Sequence, residues 1–391
     1  MQNPSTSPPG PPSPPFAART SISLIYILLL ACISIHLYRT PSYTNDSLQY
    51  MGNALLMEET DPVKLHRRVY AELDRGMPAP AREHMLGLEN GVPAPHSASL
   101  RERALDPYRF AECLPWFAIR PLYNLALYLL SRTGLGLLRS SVFLSAASHF
   151  LLGVLLFRWL IRYLAPFSAL GVAVLSMMSP PLMDLGRQNT SDALASLIAF
   201  SALYLIFEKQ RLLPGMVLLL ASLYFRTDFV VLAGPALLAL WLTRKITFWQ
   251  AGLLSGLALA SVFAINHFGG DYGIQMLYYR NFVDAPTAPA EIVVHFSFHE
   301  YLAALRHGFT LVSGSFFLPF LLLGTVGTVL RSRLLAVAAI ATTYAVLHFV
   351  VLPNWDERWF GVFYLAMVLC AASAGRRDAG DSHPLQGKIF A

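Results

Sequence analysis

Residues 140–161 read SSVFLSAASHFLLGVLLFRWLI, and this stretch decides the class of fold. Arg158, near its end, is its one formally charged residue, and about 20 predominantly apolar residues are what an α-helix needs to cross a bilayer. The sequence therefore predicts an all-α, polytopic transmembrane bundle of about ten spans. The hydrophobic runs, several of them shorter than this one, are residues 21–37, 140–161, 164–178, 191–207, 213–224, 229–242, 248–267, 309–330, 334–352 and 359–374.

The composition supports a membrane protein and excludes several classes of function. Of the 391 residues, 55% are hydrophobic and 13% are charged, whereas soluble domains carry roughly 25% charged residues. The net charge of +6 comes without a basic run interleaved with aromatic residues. It therefore indicates the positive-inside bias of a protein in a lipid bilayer, and no nucleic-acid partner. Cys32, Cys113 and Cys370 show no metal-binding or redox spacing, which argues against a disulfide framework.

The basic turns between the runs predict the topology. Residues 114–131 are apolar but contain Arg120, Pro121 and Asn124. If this segment does not cross and the N-terminus is cytosolic, every short basic turn lies on the inner side, as the positive-inside rule requires. A crossing segment would invert them all, so we predict a helix lying on the outer surface. The turns hold Arg158 and Arg162, Lys209 and Arg211, Arg244 and Lys245, Arg331 and Arg333, and Arg376 and Arg377.

This topology divides the chain into a membrane domain and two tails. The first run lacks a clean cleavage site, so we interpret it as a retained anchor. Within the first outer loop, residues 77–82 and 92–97 are rich in Pro and Ala and are predicted to be irregular. The predicted segments are a disordered Pro-rich cytosolic tail at 1–20, a transmembrane domain at 21–375 with outer loops at 39–139 (containing surface helices) and 269–308, and a cytosolic tail at 376–391.

Carboxylates gather on the predicted outer face, and Asp46 is the most informative of them. It follows the first hydrophobic run by a few residues, in TNDSLQY at residues 44–50. Asp192 begins a later run, and three arginines lie at the same predicted boundary: Arg187, Arg226 and Arg358. Guanidinium groups bind phosphate bidentately. A cleft that combines these groups therefore predicts a phosphate-bearing lipid as the ligand.

Three stretches carry a resemblance to a known superfamily. Residues 46–55, DSLQYMGNAL, place an acid four residues before a tyrosine at the start of an apolar helix. Residues 179–194, SPPLMDLGRQNTSDAL, contain a turn after which a second aspartate begins a helix. Residues 223–228, LYFRTD, place a basic residue at the outer end of a helix. In this order and topology they resemble the GT-C superfamily, membrane glycosyltransferases that use polyprenyl-phosphate-linked sugars.

The resemblance is closest to the branch that holds the bacterial lipid A aminoarabinose transferases and the protein O-mannosyltransferases. Residues 115–134 also look like the surface helix before the second span of that branch. The likeness covers roughly residues 20–245 and fades afterwards. The first motif departs from the common pattern of two adjacent acids, because Ser47 follows Asp46. That departure counts against a bound divalent metal, and we predict no cofactor.

The resemblance implies an inverting sugar transfer from a polyprenyl phosphate to an acceptor hydroxyl, on the periplasmic or extracellular side of a multi-pass membrane protein. Asp46 would be the general base, and Asp192 would position Asp46 or help to bind a substrate. Tyr50, on the same helical face as Asp46, could line the sugar site. Each residue also has a structural interpretation: Asp46 and Asp192 as acids in first helical turns, Tyr50 as an interfacial aromatic residue.

The remaining candidates have similar pairs of interpretations. Arg187, Arg226 and Arg358 are candidate ligands of the lipid phosphate, or residues that extend to the interface; Asp228 could simply pair with Arg226. His295 and His299 have the i, i+4 spacing of two metal ligands, but the flanking Glu300 is not placed as in the HExxH zinc motif, so a helix in a loop is favoured. His149 and His348 lie inside runs, where a neutral histidine bonded to a neighbouring helix is favoured.

Two other functions compete with the transferase. A flippase or transporter for a lipid-linked sugar would show internal repeats, broken helices and charges at mid-membrane. An assembly protein would use the outer loop as a docking surface without chemistry. The absence of a P-loop or dinucleotide fingerprint agrees with a lipid-linked donor rather than a nucleotide. Neither the sugar nor the acceptor, whether glycan, lipid or protein, can be predicted from these residues.

Overall fold

A computed structural model of the chain describes residues 16–88, 94–272, 276, 278, 297–330 and 332–374. Within these ranges every regular element is a helix, which confirms the predicted all-α class. The helices are α1 Phe16–Arg39, α2 Asp46–Leu55, α3 Pro62–Gly76, α4 Ala79–Met85, α5 Ala94–Leu105, α6 Pro107–Glu112, α7 Pro115–Ala118, α8 Pro121–Leu130, α9 Leu137–Leu160, α10 Pro166–Met177, α11 Pro180–Arg187, α12 Asp192–Leu203, α13 Leu212–Ser222, α14 Val230–Leu242, α15 Phe248–Phe268, α16 Phe298–Ser313, α17 Phe317–Val329, α18 Leu335–Val351 and α19 Gly361–Ala372.

Several helices are apolar enough to cross a membrane. Three helices in the described part of the chain have the length and composition of a span: α1 (from Thr20), α9 and α15. Two bent pairs, α10 with α11 at 63° and α16 with α17 at 71°, raise this number to five if each pair is one span. Helices α13, α14 and α18 are apolar but shorter. The predicted number of ten spans stays a prediction, and the predicted run 309–330 is divided by the bend between α16 and α17.

The main core of the bundle depends on close helix approaches. Tyr26 of α1 donates a hydrogen bond to the Gly153 carbonyl of α9 at 2.8 Å, and its ring stacks on Phe157 with centroids 4.3 Å apart. A Cβ at Gly153 would lie 2.7 Å from a methyl group of Leu30, so the missing side chain at this glycine permits the close approach of the two helices. At the α17–α19 crossing a Cβ at Gly327 would lie 2.6 Å from the backbone of Cys370.

The described residues of the segment predicted as the first outer loop are folded around a second apolar core. Helices α2, α3, α6 and α8 bury Tyr50, Val69, Phe110 and Tyr123 against one another. The predicted irregularity is wrong at residues 79–82 and 94–97, where α4 and α5 begin, whereas Met77 and Pro78 are non-helical as predicted. The predicted surface helix 114–131 is two short helices, since Pro115 and Pro121 each begin a new one and Arg120 between them is non-helical.

The two ends of the bundle differ in chemistry. At one end α9, α12 and α14 finish among basic turns: Arg162 pairs with Glu208 at 2.8 Å, and Lys245 donates to Gln210 at 2.6 Å. Trp159 and Tyr163 also donate to Glu208. At the opposite end α12 and α14 begin, and there aspartates and arginines meet. The basic turns thus lie at one end of the bundle and the aspartates at the other, as the predicted topology requires. Which end faces the outside of the membrane stays a prediction.

Candidate functional site

The end of the bundle where α12 and α14 begin brings together side chains from distant parts of the sequence. Asp46 lies in the first turn of α2, and Asp192 is the first residue of α12. Asp228 lies in a 3₁₀ turn that leads into α14, and Arg358 in a 3₁₀ turn that leads into α19. His348 lies near the end of α18. Because each residue is at a helix end, the helical frame fixes the backbone while the side chains converge.

Backbone and side-chain contacts fix Asp46 relative to Asp192. The Ser42 N–H donates to the Arg187 carbonyl at 2.9 Å, and the Thr44 N–H to the Asn189 side chain at 3.3 Å. The Tyr50 hydroxyl lies 3.1 Å from the hydroxyl of Ser191. The chain entering α2 is therefore attached to the chain entering α12, which places the two aspartates at one site.

Arg358 joins three carboxylates. Its Nη2 lies 3.2 Å from Asp46 Oδ2, and its Nε lies 3.4 Å from Asp192 Oδ2 and 2.7 Å from Asp356 Oδ2. Its remaining nitrogen, Nη1, is buried without a hydrogen-bond partner. These carboxylates raise the pKa of Arg358 against the opposing effect of burial, so the guanidinium stays charged. Burial raises the pKa of Asp356 above its usual value.

Arg226 is the buried centre of the network. Its Nη1 bonds Asp192, and its Nε donates to Asp228 Oδ1 at 2.9 Å in a bidentate pair. His348 Nε2 lies 2.8 Å from Asp228 Oδ2. The predicted pairing of Asp228 with Arg226 is present, and His348 does bond a residue of another segment. The result is an alternating series of charges that runs from Asp228 through Arg226, Asp192 and Arg358 to Asp46.

Asp46 and Asp192 differ in access. The Asp192 side chain is 5% exposed, and its oxygens bond Arg226, Arg358 and the Thr190 hydroxyl, the last at 2.7 Å. The Asp46 side chain is 30% exposed. Asp192 therefore suits an organising role, because its oxygens are already engaged. Asp46 is the carboxylate of this pair that an incoming hydroxyl group can reach.

A cavity of about 220 Å³ lies directly against these groups. Asp46, Asp192, Arg226 and Arg358 line it together with aromatic residues. A further arginine, Arg120, also lines the cavity. The other members of the lining are Tyr50, Trp116, Phe117, Ile119, Thr227, Asp228, His348, Leu352 and Trp359. Aromatic walls with a few convergent charged side chains are typical of a ligand-binding site.

Arg120 is the site residue that the sequence argument did not nominate. Its guanidinium carbon lies 5.5 Å from the Tyr50 ring centroid and 5.6 Å from that of Phe117, and its Nη1 donates to the Trp116 carbonyl at 3.4 Å. Burial raises the pKa of Tyr50 to about 12, so the Tyr50 phenol beneath the Arg120 guanidinium is neutral. An arginine within an apolar, aromatic segment predicted to lie at the surface was the available signal for Arg120.

Five of the six predicted site residues meet at this cavity, and one does not. Asp46, Tyr50, Asp192, Arg226 and Arg358 all line it. Arg187, at the end of α11, is outside the lining and faces Asp184 at 3.8 Å. It contributes its backbone carbonyl to the attachment of Ser42 rather than its guanidinium to the cavity.

Only one member of the predicted histidine pair, His299, is among the described residues, and it lies outside the cavity. His299 is in the first turn of α16, and His295 is outside the described residues. Within the described ranges no group of three or more histidine, cysteine, aspartate or glutamate side chains is arranged to hold a metal ion. At the cavity the carboxylates face guanidinium groups instead.

No protein-family model, curated protein or solved structure matches this chain. The fold and the geometry of the cavity are therefore the observations that bear on function.

Proposed function

We propose that this protein is a glycosyltransferase of GT-C type, which moves a sugar from a polyprenyl-phosphate donor to an acceptor hydroxyl. One observation carries the proposal: Asp46, partly exposed at a cavity, is held by Arg358 within a buried network of aspartates and arginines at one end of an apolar helical bundle. The donor lipid lies in the bilayer, and the acceptor, a glycan, lipid or protein, approaches from the periplasmic or extracellular face.

In the proposed step the acceptor oxygen attacks the anomeric carbon and loses its proton to Asp46. A new carbon–oxygen bond forms, and the bond between the anomeric carbon and the phosphate oxygen breaks. The electron pair of that bond leaves with the lipid phosphate, and the configuration at carbon inverts. Fixed cations that face the phosphate stabilise the charge that develops on it.

Burying this network of charges costs free energy, and a functional role explains its presence better than a gain in stability does. Removing charges from water is expensive, and buried ion pairs are often no better than well-packed apolar groups of the same size. Arg226 and Asp192 are 4% and 5% exposed. We therefore assign them a positioning role: they hold Arg358, and through it the orientation of the Asp46 carboxylate.

The test is transfer by the purified protein in liposomes that contain a radiolabelled polyprenyl-phosphate sugar and a membrane extract as the source of acceptor. Asp46→Asn keeps the shape of the side chain and removes the base. The matched control is Asp184→Asn, since Asp184 also faces an arginine but is 45% exposed and lies outside the cavity. We expect transfer by the wild type and by Asp184→Asn, and a loss of about 10²- to 10⁴-fold in Asp46→Asn.

Equal transfer by Asp46→Asn would remove Asp46 as the base and direct attention to Asp192. No transfer by the wild type with any sugar-loaded lipid would remove the transferase proposal itself.

A transporter of lipid-linked sugars is the second candidate, and one observation favours it. The bent pairs α10–α11 and α16–α17 are broken helices, which transporters use at their binding sites. This candidate predicts labelled lipid crossing the bilayer without sugar release. The same liposomes measure both outcomes, because the label moves between leaflets in one case and between molecules in the other.

A further inference from the structure

The two arginines of the buried network are largely neutralised by their neighbours. Arg226 bonds Asp192 and Asp228, and Arg358 bonds Asp46, Asp192 and Asp356. Four carboxylates thus face two guanidinium groups, which leaves two formal negative charges. A phosphate group brought to this set alone meets repulsion rather than attraction.

Arg120 differs from both in its surroundings. Its direct partners in the described part of the chain are two aromatic rings and one backbone carbonyl, and it interacts with the Asp192 carboxylate electrostatically but beyond ion-pair distance. It lines the same cavity as Asp46. Because Tyr50 and Phe117 contact the guanidinium, its plane is restrained, and less side-chain entropy is lost when it binds a ligand.

We infer that Arg120 is the residue that binds the phosphate of the lipid-linked donor, while Arg226 and Arg358 are positioning residues for the carboxylates. This inference rests on the proposed function. The donor is a phosphodiester with one negative charge, and the departing lipid phosphate is a monoester with a charge of about −1.5 to −2. A fixed guanidinium therefore stabilises the leaving group more than the donor, which is the condition for accelerating the step.

The direct test is binding of the product-like lipid, polyprenyl monophosphate, to the purified full-length protein in detergent. Trp116 and Trp359 line the cavity, so quenching of tryptophan fluorescence reports occupancy. We expect Arg120→Met to weaken binding about 10- to 100-fold, because charged hydrogen bonds are lost. Arg120→Lys keeps the charge without the planar fork, so we expect an intermediate loss.

Two controls separate charge recognition from damage to the fold. Arg132 also lies above a tyrosine ring, with its guanidinium carbon 6.0 Å from the centroid of Tyr128, but it pairs with Glu58 and is outside this cavity. Arg132→Met should bind polyprenyl monophosphate like the wild type. Uncharged polyprenol should bind equally to the wild type and to Arg120→Met, and added salt should weaken only the binding of the phosphate.

The outcomes distinguish this inference from the function on which it rests. Equal affinity of Arg120→Met and wild type for polyprenyl monophosphate would overturn the role of Arg120, while sugar transfer by the wild type would still support the transferase. A parallel loss of polyprenol binding would also overturn it, since the defect would then lie in the lipid groove or the fold. No binding of either lipid by the wild type would remove both proposals.

Discussion

Removing either partner of the pair between Asp192 and Arg226 should have unequal effects on stability. Asp192→Asn leaves Arg226 still paired with Asp228 and keeps a polar partner for the Thr190 hydroxyl. We therefore expect a cost of about 1.5–3 kcal/mol, typical of a lost hydrogen bond to a charged group. Arg226→Met leaves Asp192 with the shared Arg358 and Asp228 with His348. Its cost should reach about 3–5 kcal/mol, because two buried carboxylates lose their main counter-charge.

The double variant, Asp192→Asn with Arg226→Met, tests whether the two side chains are energetically coupled. Once Arg226 is absent, neutralising Asp192 removes one of the two carboxylates that lost it, so the combined cost should fall below the sum of the single costs. Residues in one ion-pair network show interaction energies of about 0.5–3 kcal/mol. The assay is unfolding of the purified protein in mixed micelles of increasing denaturing-detergent content, followed by tryptophan fluorescence at fixed protein and lipid concentrations.

A cost of Asp192→Asn equal to or greater than that of Arg226→Met would refute the view that Arg226 is the centre of the network. Additive costs in the double variant would show that the two side chains are energetically independent despite their contact.

Three further outcomes follow from other parts of the molecule. Gly327→Ala should destabilise the protein by about 1–3 kcal/mol through overpacking, because the new Cβ would meet the Cys370 backbone. Gly256→Ala, in open space on α15, should be neutral or stabilising by up to about 1 kcal/mol. Thermal unfolding of the two variants measures this difference. Burial lowers the pKa of His66 in α3, so protonation of His66 favours the unfolded state. The free energy of unfolding should therefore decline as the pH falls through about 6.5. The difference between the wild type and His66→Gln isolates the contribution of His66 to this pH dependence. Tyr50→Phe removes the hydroxyl contact with Ser191 and should cost about 0.5–1.5 kcal/mol in the same unfolding assay while keeping the ring beneath Arg120.

Hydrophobic runs predicted the helices well because apolar periodicity and length are local properties of the sequence. The run 140–161 is the middle and end of α9, and 248–267 is nearly the whole of α15. Hydropathy alone does not reveal the bend in 309–330, although Gly314 ends the first helix and Pro319 lies in the first turn of the second, which are typical signals of a helix end and a helix start. The helix at Ala79–Met85 contradicts the predicted irregularity because proline, here Pro80, is favoured in a first helical turn as well as in turns.

The site was predictable in part for a different reason. Asp46 and Asp192 were identified from their places after and before hydrophobic runs, and the structure brings them to one cavity. Arg187 was grouped with Arg226 and Arg358 on its predicted boundary alone. Sequence gives the level of a residue along a helix axis, but the direction of its side chain depends on how neighbouring helices pack. For that reason Arg120 lines the cavity and Arg187 lies outside it.

The same packing links the site to the assembly of the two cores. Tyr50 belongs to the second apolar core and Asp46 lies one turn before it in α2, whereas Asp192 and Arg226 lie at the end of the main bundle. The contacts of Ser42 with Arg187 and of Tyr50 with Ser191 join them. The Asp46 carboxylate and the network of Asp192 and Arg226 meet only when both parts are folded and docked, because neither part contains the full group of charges. If Asp46 is the base that we propose, a change at this junction such as Tyr50→Phe should lower activity as well as stability.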